Sequence, residues 1–537
     1  MSPSESGAPR QAFSSRTPVN DNPDKVNYRR GFVTRHQVTG WRFVMRRISS
    51  GIALHDTRML VEPLRTQSRA VLMGAILLVA GLAGCFIFSL IRPNAQAGTN
   101  AILADRTTAA LYVRVGDDLH PVLNLTSARL IAGHPVNPVL VKSPELDKFP
   151  RGNLIGIPGA PERMVQSAAR DAQWTVCDAV SGTPGHGARS TGVTVLAGQL
   201  DTSGARATGL EADQGILVDF PGDRGLSTWL LWDGKRSQID LADHAITAAL
   251  GLGDDIAAPR PVAVGLFNAI PQAPALRAPV IAGAGAPASY AVPAPIGAVV
   301  GAYALNAVEG EVTGSLHYYA VLSDGLQPIS PVLAAVLRNT DSYGLSQPPR
   351  LAADQVAKLP VSHALDAAAY PSRSVRLVDA TRAPVACTTW SKPAGAATSS
   401  QLLLAGSELP VLPGVHTLGL VDGGTRVALP AGSGYLAQAV GSDPSATVGG
   451  SMFWISDTGV RYGIDTDSPG PGGVKANTVG ALGLTGQAVP IPWSVLSLFA
   501  SGPTLSRADA LLAHDGLAPD TKPGRPVAAR APEGESR

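Results

Sequence analysis

Few residues of this 537-residue chain are spaced as a catalytic centre would need them. A phosphate-binding loop requires two glycines, a lysine and a hydroxyl in the pattern Gly-x-x-x-x-Gly-Lys-Ser/Thr. The one Gly-Lys pair, Gly234-Lys235, has Trp229 at the first glycine position and Arg236 at the hydroxyl position. No His-Glu-x-x-His zinc motif and no Gly-x-Ser-x-Gly nucleophile elbow occur. The sequence therefore favours a protein that is not an enzyme, with a site assembled from distant residues left open.

The remaining candidates for chemistry are cysteines and histidines. Cys177 and Cys387 lack further ligands at the close spacing that a metal site needs, and Cys85 lies in an apolar segment where a thiol packs. We interpret His120 and His317 as structural or surface side chains. In an oxidising compartment Cys177 and Cys387 would form a disulfide or stay as two buried thiols. No metal or cofactor is predicted from these residues.

The strongest single signal is an apolar stretch at residues 70–91, which carries no charge and lies between Arg69 and Arg92. Its 22 residues would cover about 33 Å as a helix, enough to cross a hydrocarbon core of about 30 Å. A buried core helix would normally show a polar face. A cleaved signal peptide would begin nearer the N-terminus and be shorter. We predict one transmembrane helix over residues 70–91.

The distribution of charge predicts the orientation of this helix. The first 69 residues contain twelve Lys or Arg and five Asp or Glu, whereas no base lies between Arg92 and Arg106. The positive-inside rule therefore places the N-terminus in the cytoplasm and the long C-terminal region outside it. We expect a single-pass protein of the inner membrane with most of the chain in the periplasm. The net charge of +2 argues against a nucleic-acid partner.

A basic amphipathic helix is predicted in the cytoplasmic residues 35–69. Apolar side chains recur at spacings of three and four over residues 35–55, which places them on one helical stripe. The stripe consists of Val38, Trp41, Met45, Ile48 and Ile52, and Arg42, Arg46 and Arg47 lie on other faces. Such a helix can bind the anionic inner leaflet or dock on a partner protein. A solvated basic linker is the third possibility.

The region beyond the apolar stretch repeats at two levels. Lys148-Phe149-Pro150 and Lys358-Leu359-Pro360 are 210 residues apart, the offset that also separates the two cysteines of this region. A shorter unit of strand, Asp or Gly turn and strand occurs four times, which is the signal of a hairpin. The four turns are Asp117-Asp118, Asp233-Gly234, Asp324-Gly325 and Asp457-Thr458-Gly459. We interpret these acids as turn formers and predict helices at residues 241–250 and 331–337.

These patterns predict an α+β fold with four α/β repeats around a central β domain. One half would span residues 105–280 and the other 300–516, joined by an Ala- and Pro-rich surface link at residues 271–300. Equivalent residues can meet on a pseudo-twofold axis, so a Cys177–Cys387 bond would clamp half to half. Residues 1–34 and 517–537 are predicted to be disordered tails.

Four motifs carry a resemblance to a known family. They are Gly40-Trp41-Arg42-Phe43, His55-Asp56-Thr57-Arg58-Met59, the run from Pro63-Leu64-Arg65 to Gln67-Ser68-Arg69-Ala70, and HPVLNLTSARL at residues 120–130. Together they resemble EccB, a membrane component of the ESX (type VII) secretion system of mycobacteria and related actinobacteria. The likeness covers nearly the whole chain apart from its tails, and it points to the ESX-3 form.

The resemblance implies an inner-membrane complex with EccC, EccD and EccE, in which the N-terminal helix contacts partners in the cytoplasm. It also implies four periplasmic repeats around a central disulfide-bonded domain, with repeats similar to cell-wall-binding modules. The family is described as having ATPase activity, so ATP is the one cofactor that the resemblance suggests. Because the chain lacks a phosphate-binding loop, its sequence does not predict ATP hydrolysis.

We therefore hypothesise a structural core subunit of the secretion complex that supports protein export and whose periplasmic domain self-associates. The two alternatives are an ATPase subunit of the same system and a peptidoglycan-binding module. Nucleotide turnover that a point substitution abolishes would favour the first alternative. Capture of the exported region by isolated cell wall would favour the second.

Overall fold

The structure is a computed structural model that divides into two compact units, Met1–Pro93 and Asn94–Arg537. It describes residues 34–55, 63–91, 97–183, 186–222, 225–253, 256–304, 315–420, 425–441, 443–446, 449–466 and 477–516. The tails predicted at residues 1–34 and 517–537 lie outside the described residues, apart from Thr34.

The first unit contributes two described helices, α1 (Arg35–Leu54) and α2 (Pro63–Ile91). Thr34 begins α1 with a capping box, in which its hydroxyl accepts from the Gln37 amide while the Gln37 side chain accepts from the Thr34 amide. Helix α1 ends at Leu54, so the basic helix predicted over residues 35–69 is shorter than expected. Pro63 then begins α2, at a position where a missing amide proton costs no hydrogen bond.

Helix α2 contains a segment long and apolar enough to cross a membrane, Gln67–Phe88. It is the one such segment in the part of the chain that the structure describes, and its most apolar 18 residues have a mean hydropathy of 2.6. The predicted span at residues 70–91 lies within α2. The predicted transmembrane segment is therefore helical in the structure.

The second unit begins with a small α/β module and the first strands of a central sheet. Module 1 comprises β1 (Ile102–Asp105), β2 (Leu111–Val115), β3 (Asp118–Pro121), α3 (Leu125–Ala132), β4 (Val139–Val141), α4 (Ser143–Leu146) and β5 (Leu154–Ile155). The central strands that follow are β6 (Ala172–Thr183), β7 (His186–Ala197) and β8 (Thr208–Gly209). Module 2 comprises β9 (Gln214–Gly222), β10 (Gly225–Trp232), β11 (Lys235–Gln238), α5 (His244–Ala249), β12 (Arg260–Pro261) and α6 (Val264–Ala269).

The rest of the second unit has the same plan. Module 3 comprises β13 (Val299–Ala304), β14 (Ser315–Val321), β15 (Leu326–Ile329), α7 (Pro331–Thr340), β16 (Arg350–Leu351) and α8 (Ala353–Lys358). A short 3-10 turn (Ala367–Ala369) and β17 (Arg376–Leu377) lead to the central strands β18 (Val385–Lys392), β19 (Ser400–Gly406), β20 (Leu418–Gly419) and β21 (Arg426–Ala428). Module 4 comprises β22 (Tyr435–Val440), β23 (Met452–Ile455), β24 (Val460–Ile464), α9 (Thr478–Ala481), β25 (Val489–Pro492), α10 (Trp493–Leu496) and β26 (Ala500–Ser501), and α11 (Arg507–Ala510) and β27 (Ala513–His514) end the described chain.

All four modules have the same strand pairing. The first three strands form an antiparallel meander, and a later strand returns parallel to the first, as β4 does beside β1 and β12 beside β9. The four predicted hairpins are confirmed as β2–β3, β10–β11, β14–β15 and β23–β24. Asp233 and Gly234 both have positive φ, 44° and 71°, as a two-residue type I′ hairpin turn requires. Helices α5 and α7 lie where the sequence predicts them.

The central sheet has seven strands in the order β20-β21-β7-β6-β18-β19-β8. Strands β6 to β8 come from the first half of the region and β18 to β21 from the second. The halves are therefore joined along the antiparallel pair β6–β18, near the middle of the sheet.

The modules pack around this sheet in an order that differs from their order in sequence. Modules 2 and 4 share a core with the central sheet, which includes Trp174. Module 3 packs on the other face of module 2, where Leu230 and Leu333 lie in one core. Module 1 packs on the other face of module 4, where Leu130 and Trp454 lie in one core. Each outer pair thus combines one module from each half.

The halves predicted at residues 105–280 and 300–516 are consequently interleaved. No sequence pattern indicates that modules of different halves pack together in this way. The physical reason for the interleaving is that alternate residues of β9 and β22 face opposite sides, so one face is covered by the central sheet and the other by a module of the other half. The first strand also begins at Ile102, before the predicted boundary.

The Ala- and Pro-rich link lies mostly at the surface up to residue 293 and is anchored in the fold by a few buried side chains. Leu276 and Ile296 are 3% and 6% exposed, whereas Val280 is 98% exposed. Isolated parallel bridges join Gln272 to Arg236 and Leu276 to Ile239, beside the edge strand β11. The link therefore covers a sheet edge that would otherwise leave backbone groups unpaired.

A buried charged network fastens α6 to the central sheet. The Asp178 carboxylate accepts hydrogen bonds from Ser190 Oγ at 2.6 Å and from the Ala263 amide at 2.8 Å. The Arg260 guanidinium donates to the main-chain carbonyls of Asp178, Ala383 and Pro384. Burial raises the pKa of the Asp178 carboxyl, against the effect of its hydrogen bonds and of Arg260. Burial also lowers the pKa of Arg260 to about 10, against the effect of Asp178.

Replacing Arg260 by Met should lower the free energy of unfolding by about 3 kcal/mol or more, because it leaves the Asp178 carboxylate buried without a nearby cation. Urea denaturation of the purified full chain measures this loss. The matched control is Arg382→Met, because the Arg382 side chain is 90% exposed. Equal effects of the two substitutions would show that the network does not stabilise the fold.

Candidate interaction sites and the central disulfide

The centre of the second unit is a disulfide between adjacent strands. In the antiparallel register of β6 and β18, Cys177 lies opposite Cys387 and Trp174 lies opposite Trp390. The two sulfurs are bonded and the Cα atoms are 4.0 Å apart. Both cysteines are fully buried, in an apolar cluster with Leu196 and other side chains. The bond joins the two halves, as expected for a clamp between them.

The opposite face of this strand pair holds an aromatic core. The Trp174 ring makes edge-on contacts with Tyr435 and Phe499, with ring centroids 5.2 Å and 6.2 Å away. Its indole nitrogen donates to the Pro490 carbonyl at 2.9 Å. Helices α6 and α10 also pack against each other here, and a Cβ atom on Gly265 would lie 2.8 Å from a methyl carbon of Leu498. A larger residue at position 265 would make the Leu498 side chain shift.

Helix α1 presents an apolar stripe that no described part of the chain covers. All five residues of the predicted stripe are exposed, and the exposed fractions of Trp41, Ile48 and Ile52 are 63%, 50% and 73%. The helix contains no acidic residue, whereas Arg42 lies beside the stripe and Arg46 and Arg47 lie on other faces. An exposed apolar surface of this kind marks a contact with another molecule or a membrane.

Helix α2 has the same property over its whole apolar length. Every described side chain from Gln67 to Phe88 is exposed, including Phe86 and Phe88, each 68% exposed. Water cannot be the partner of so large an apolar surface, since its exposure would cost about 25 cal/mol for each Å². Lipid or other membrane helices must cover α2.

The structure does not assemble the other candidate residues into a catalytic centre. Gly234-Lys235 forms a hairpin turn, and the Lys235 ammonium lies 3.9 Å from the centre of the Trp232 ring. His120 Nδ1 is 2.9 Å from the Asn153 carbonyl, while His317 lies exposed on β14. Among the described residues, no group of three or more His, Cys, Asp or Glu side chains is arranged to hold a metal ion.

These features define a membrane-anchored protein whose large second unit carries four α/β modules around a disulfide-bonded sheet. The family model for the type VII secretion system ESX-1, transport TM domain B (EccB), matches residues 30–519. The chain belongs to the EccB family, and the identities to its relatives place it with the ESX-3 form.

Two relatives support this placement. The ESX-3 secretion system ATPase EccB3 of Mycobacterium tuberculosis is 68% identical over 526 residues, which is 97% of each chain. The protein of the same name from Mycolicibacterium smegmatis is 61% identical over 528 residues, 97% of this chain and 98% of the relative. The ESX-5 counterpart of M. tuberculosis is 35% identical over 512 residues, 93% of this chain and 97% of the relative.

Two solved structures share the fold. The EccB3 dimer from the ESX-3 core complex has a TM-score of 0.67 and 56% identity, and the match covers 77% of this chain and all of that one. A chain of an intact ESX-5 inner membrane complex has a TM-score of 0.68 and 34% identity, and the match covers 93% of this chain and 99% of that one.

Some structural residues could not be found from the sequence. Asp178 and Arg260 are 82 residues apart, and Arg260 donates to main-chain carbonyls, which any residue has. No local sequence pattern therefore predicts their contact. The pairing of Trp174 with Trp390 carries a weak signal, because both tryptophans lie three residues from a cysteine, on opposite sides. An antiparallel pairing of the two cysteine segments brings them together.

Replacing both Cys177 and Cys387 by Ala should lower the free energy of unfolding by about 5 kcal/mol, because the bond closes a loop of 210 residues in the unfolded chain. Equilibrium denaturation of the full chain in detergent measures the change. The control is Cys85→Ala, which removes an exposed free thiol of α2. An unchanged denaturation midpoint in the double variant would contradict a stabilising role.

Proposed function

We propose that this chain is a structural core subunit of an ESX-3 inner-membrane secretion complex and that it supports protein export across that membrane. The observation that carries this proposal is the uncovered apolar surface of α1 and α2, which needs partners in and beside the membrane. Its family membership supports the proposal, because solved relatives are named as parts of an ESX-3 core complex and an ESX-5 inner membrane complex.

The proposed partners are EccC, EccD and EccE, which the family resemblance suggests. We assign their docking to the stripe of α1, since the exposed Trp41 within an apolar stripe suits an apolar groove on a partner. Binding of the same stripe to the anionic inner leaflet is the competing outcome. A second copy of the chain is a further proposed partner of the second unit, by analogy with the named EccB3 dimer.

The four modules of the second unit are proposed to descend from one ancestral unit by duplication. Their shared strand pairing and the 210-residue offset support this origin. Four copies would give the second unit several similar surfaces on which an assembly outside the membrane can be organised. The second unit is accordingly proposed to lie in the periplasm.

The name ATPase belongs to the relatives, and we do not extend it to this chain. The one Gly-Lys pair lies in a hairpin turn rather than between a strand and a helix, as a phosphate-binding loop would. The peptidoglycan alternative likewise has no specific observation in its favour. The structural role is the function that the described surfaces support.

The orientation of α2 generates one prediction. Protease added to spheroplasts should digest the second unit and leave a membrane-protected N-terminal fragment that contains α1. The reason is the cluster of arginines on the N-terminal side of the span, which the positive-inside rule retains in the cytoplasm. Immunoblotting of tags at the two ends measures this. Protection of the second unit together with loss of the N-terminal tag would reverse the orientation.

The docking role generates a second prediction. The double substitution Trp41→Asp/Ile48→Asp should weaken the association with partner subunits by a factor of about 100 or more, since it places two charges in an apolar contact. The composition of the purified complex is the measurement. The control Thr39→Asp/Ser50→Asp adds the same charges to the opposite side of α1. Unchanged composition, with loss of vesicle binding instead, would assign the stripe to the leaflet.

A further inference from the structure

A cleft of about 420 Å³ lies where the first half of the second unit meets the second half. Arg170, from the segment before β6, and Lys392, at the end of β18, line it together with the turn at residues 393–396. Gln438 and Gln487 of module 4 contribute amide groups to the same cleft. Its volume is in the range of about 300 to 1,000 Å³ that is typical of small-molecule sites.

The charged side chains that line this cleft are all positive. It includes two cationic side chains and no carboxylate. No ion pair among the described residues involves Arg170 or Lys392. The Lys392 ammonium has one long hydrogen bond, to the Ala446 carbonyl at 3.5 Å. A cleft lined by cationic side chains concentrates counter-ions of the opposite sign.

The acidic side chains near the cleft already accept hydrogen bonds from other groups of the protein. Asp171, next to Arg170, accepts a hydrogen bond from the Ala394 amide at 2.8 Å and so fastens the turn at residues 393–396. Asp443 accepts from the amide and hydroxyl of Ser445. The two cations are held near each other by the sheet itself, because Lys392 is paired with Ala172, two residues from Arg170.

The two halves of the second unit do not both carry a basic pair at this place. At the 210-residue offset that relates the two bonded cysteines, Ala380 corresponds to Arg170 and Gly182 corresponds to Lys392. The matching positions of the other half therefore carry no charge. A basic pair that arises at only one of two related places is better explained by a ligand than by folding.

We infer that the Arg170–Lys392 cleft binds a small dianionic oxyanion group, either a phosphate or a dicarboxylate. A guanidinium offers a planar pair of donors to such a group and an ammonium adds a point charge. The Gln487 amide can add a neutral donor, whereas the Gln438 amide nitrogen already donates to the Gly450 carbonyl at 3.0 Å. Because the lining joins the segment before β6, the end of β18 and module 4, the bound anion contacts both halves of the second unit.

Calorimetric titration of the purified full chain in detergent tests this inference, with inorganic phosphate and succinate as the probes. Sodium chloride holds the ionic strength constant. Saturable binding of at least one probe is expected, and the preferred probe tells a phosphate source from a carboxylate source. Absence of saturable heat with both probes would overturn the inference.

The double variant Arg170→Gln/Lys392→Gln should bind the preferred probe with an affinity reduced by about tenfold or more. The matched control Arg106→Gln/Lys142→Gln removes two exposed charges from module 1 and should leave the affinity unchanged. Equal losses in both variants would show a general effect of net charge and refute the site. If the double variant melts well below the parent chain, the two single variants are titrated in its place under the same criterion.

Discussion

The antiparallel pairing of β6 with β18 is the contact on which the rest of the second unit depends. Antiparallel strands are related by a local twofold axis, and here that axis passes between the bonded cysteines. The segments that come after β6 and after β18 in the chain therefore lie at matching places on opposite sides of the axis. Helices α6 and α10 meet beside the axis for this reason, and modules 2 and 4 share one core with the central sheet.

This pairing also explains why the two halves are interleaved. Modules 2 and 4 each have two apolar faces, since Leu230 and Leu231 of β10 point into different cores. The central sheet can cover only one of those faces. Modules 1 and 3, whose apolar faces also need cover, occupy the remaining faces across the halves. The disulfide therefore joins two chain segments that already hold each other through the outer modules.

The sequence predicted local features well because each of them rests on residues close together in the chain. The hairpin turn at Asp233-Gly234 depends on two residues, and α2 depends on an uninterrupted apolar run. Which modules pack together depends on the shapes of their apolar faces. The residues that meet there are far apart in the chain, as Leu130 and Trp454 are, with more than 300 residues between them. Composition did not show which side chains of the Ala- and Pro-rich link anchor it, because Leu276 packs in a core with residues far along the chain. Of the candidate sites, the stripe of α1 was fully visible in the sequence, whereas the Arg170–Lys392 cleft combines three distant segments.

The two units differ in where their apolar surface lies. The second unit encloses its apolar surface within the chain, as the fully buried Trp174 and Trp454 show. The first unit leaves its apolar surface outward on both described helices, so it gains its stabilisation from molecules other than itself. A subunit built in this way has a second unit that is stabilised from within and a first unit that depends on assembly. Substitutions in the disulfide-bonded sheet should therefore act through folding, whereas substitutions on the stripe of α1 should act through association. This separation lets the two roles be measured independently in one chain.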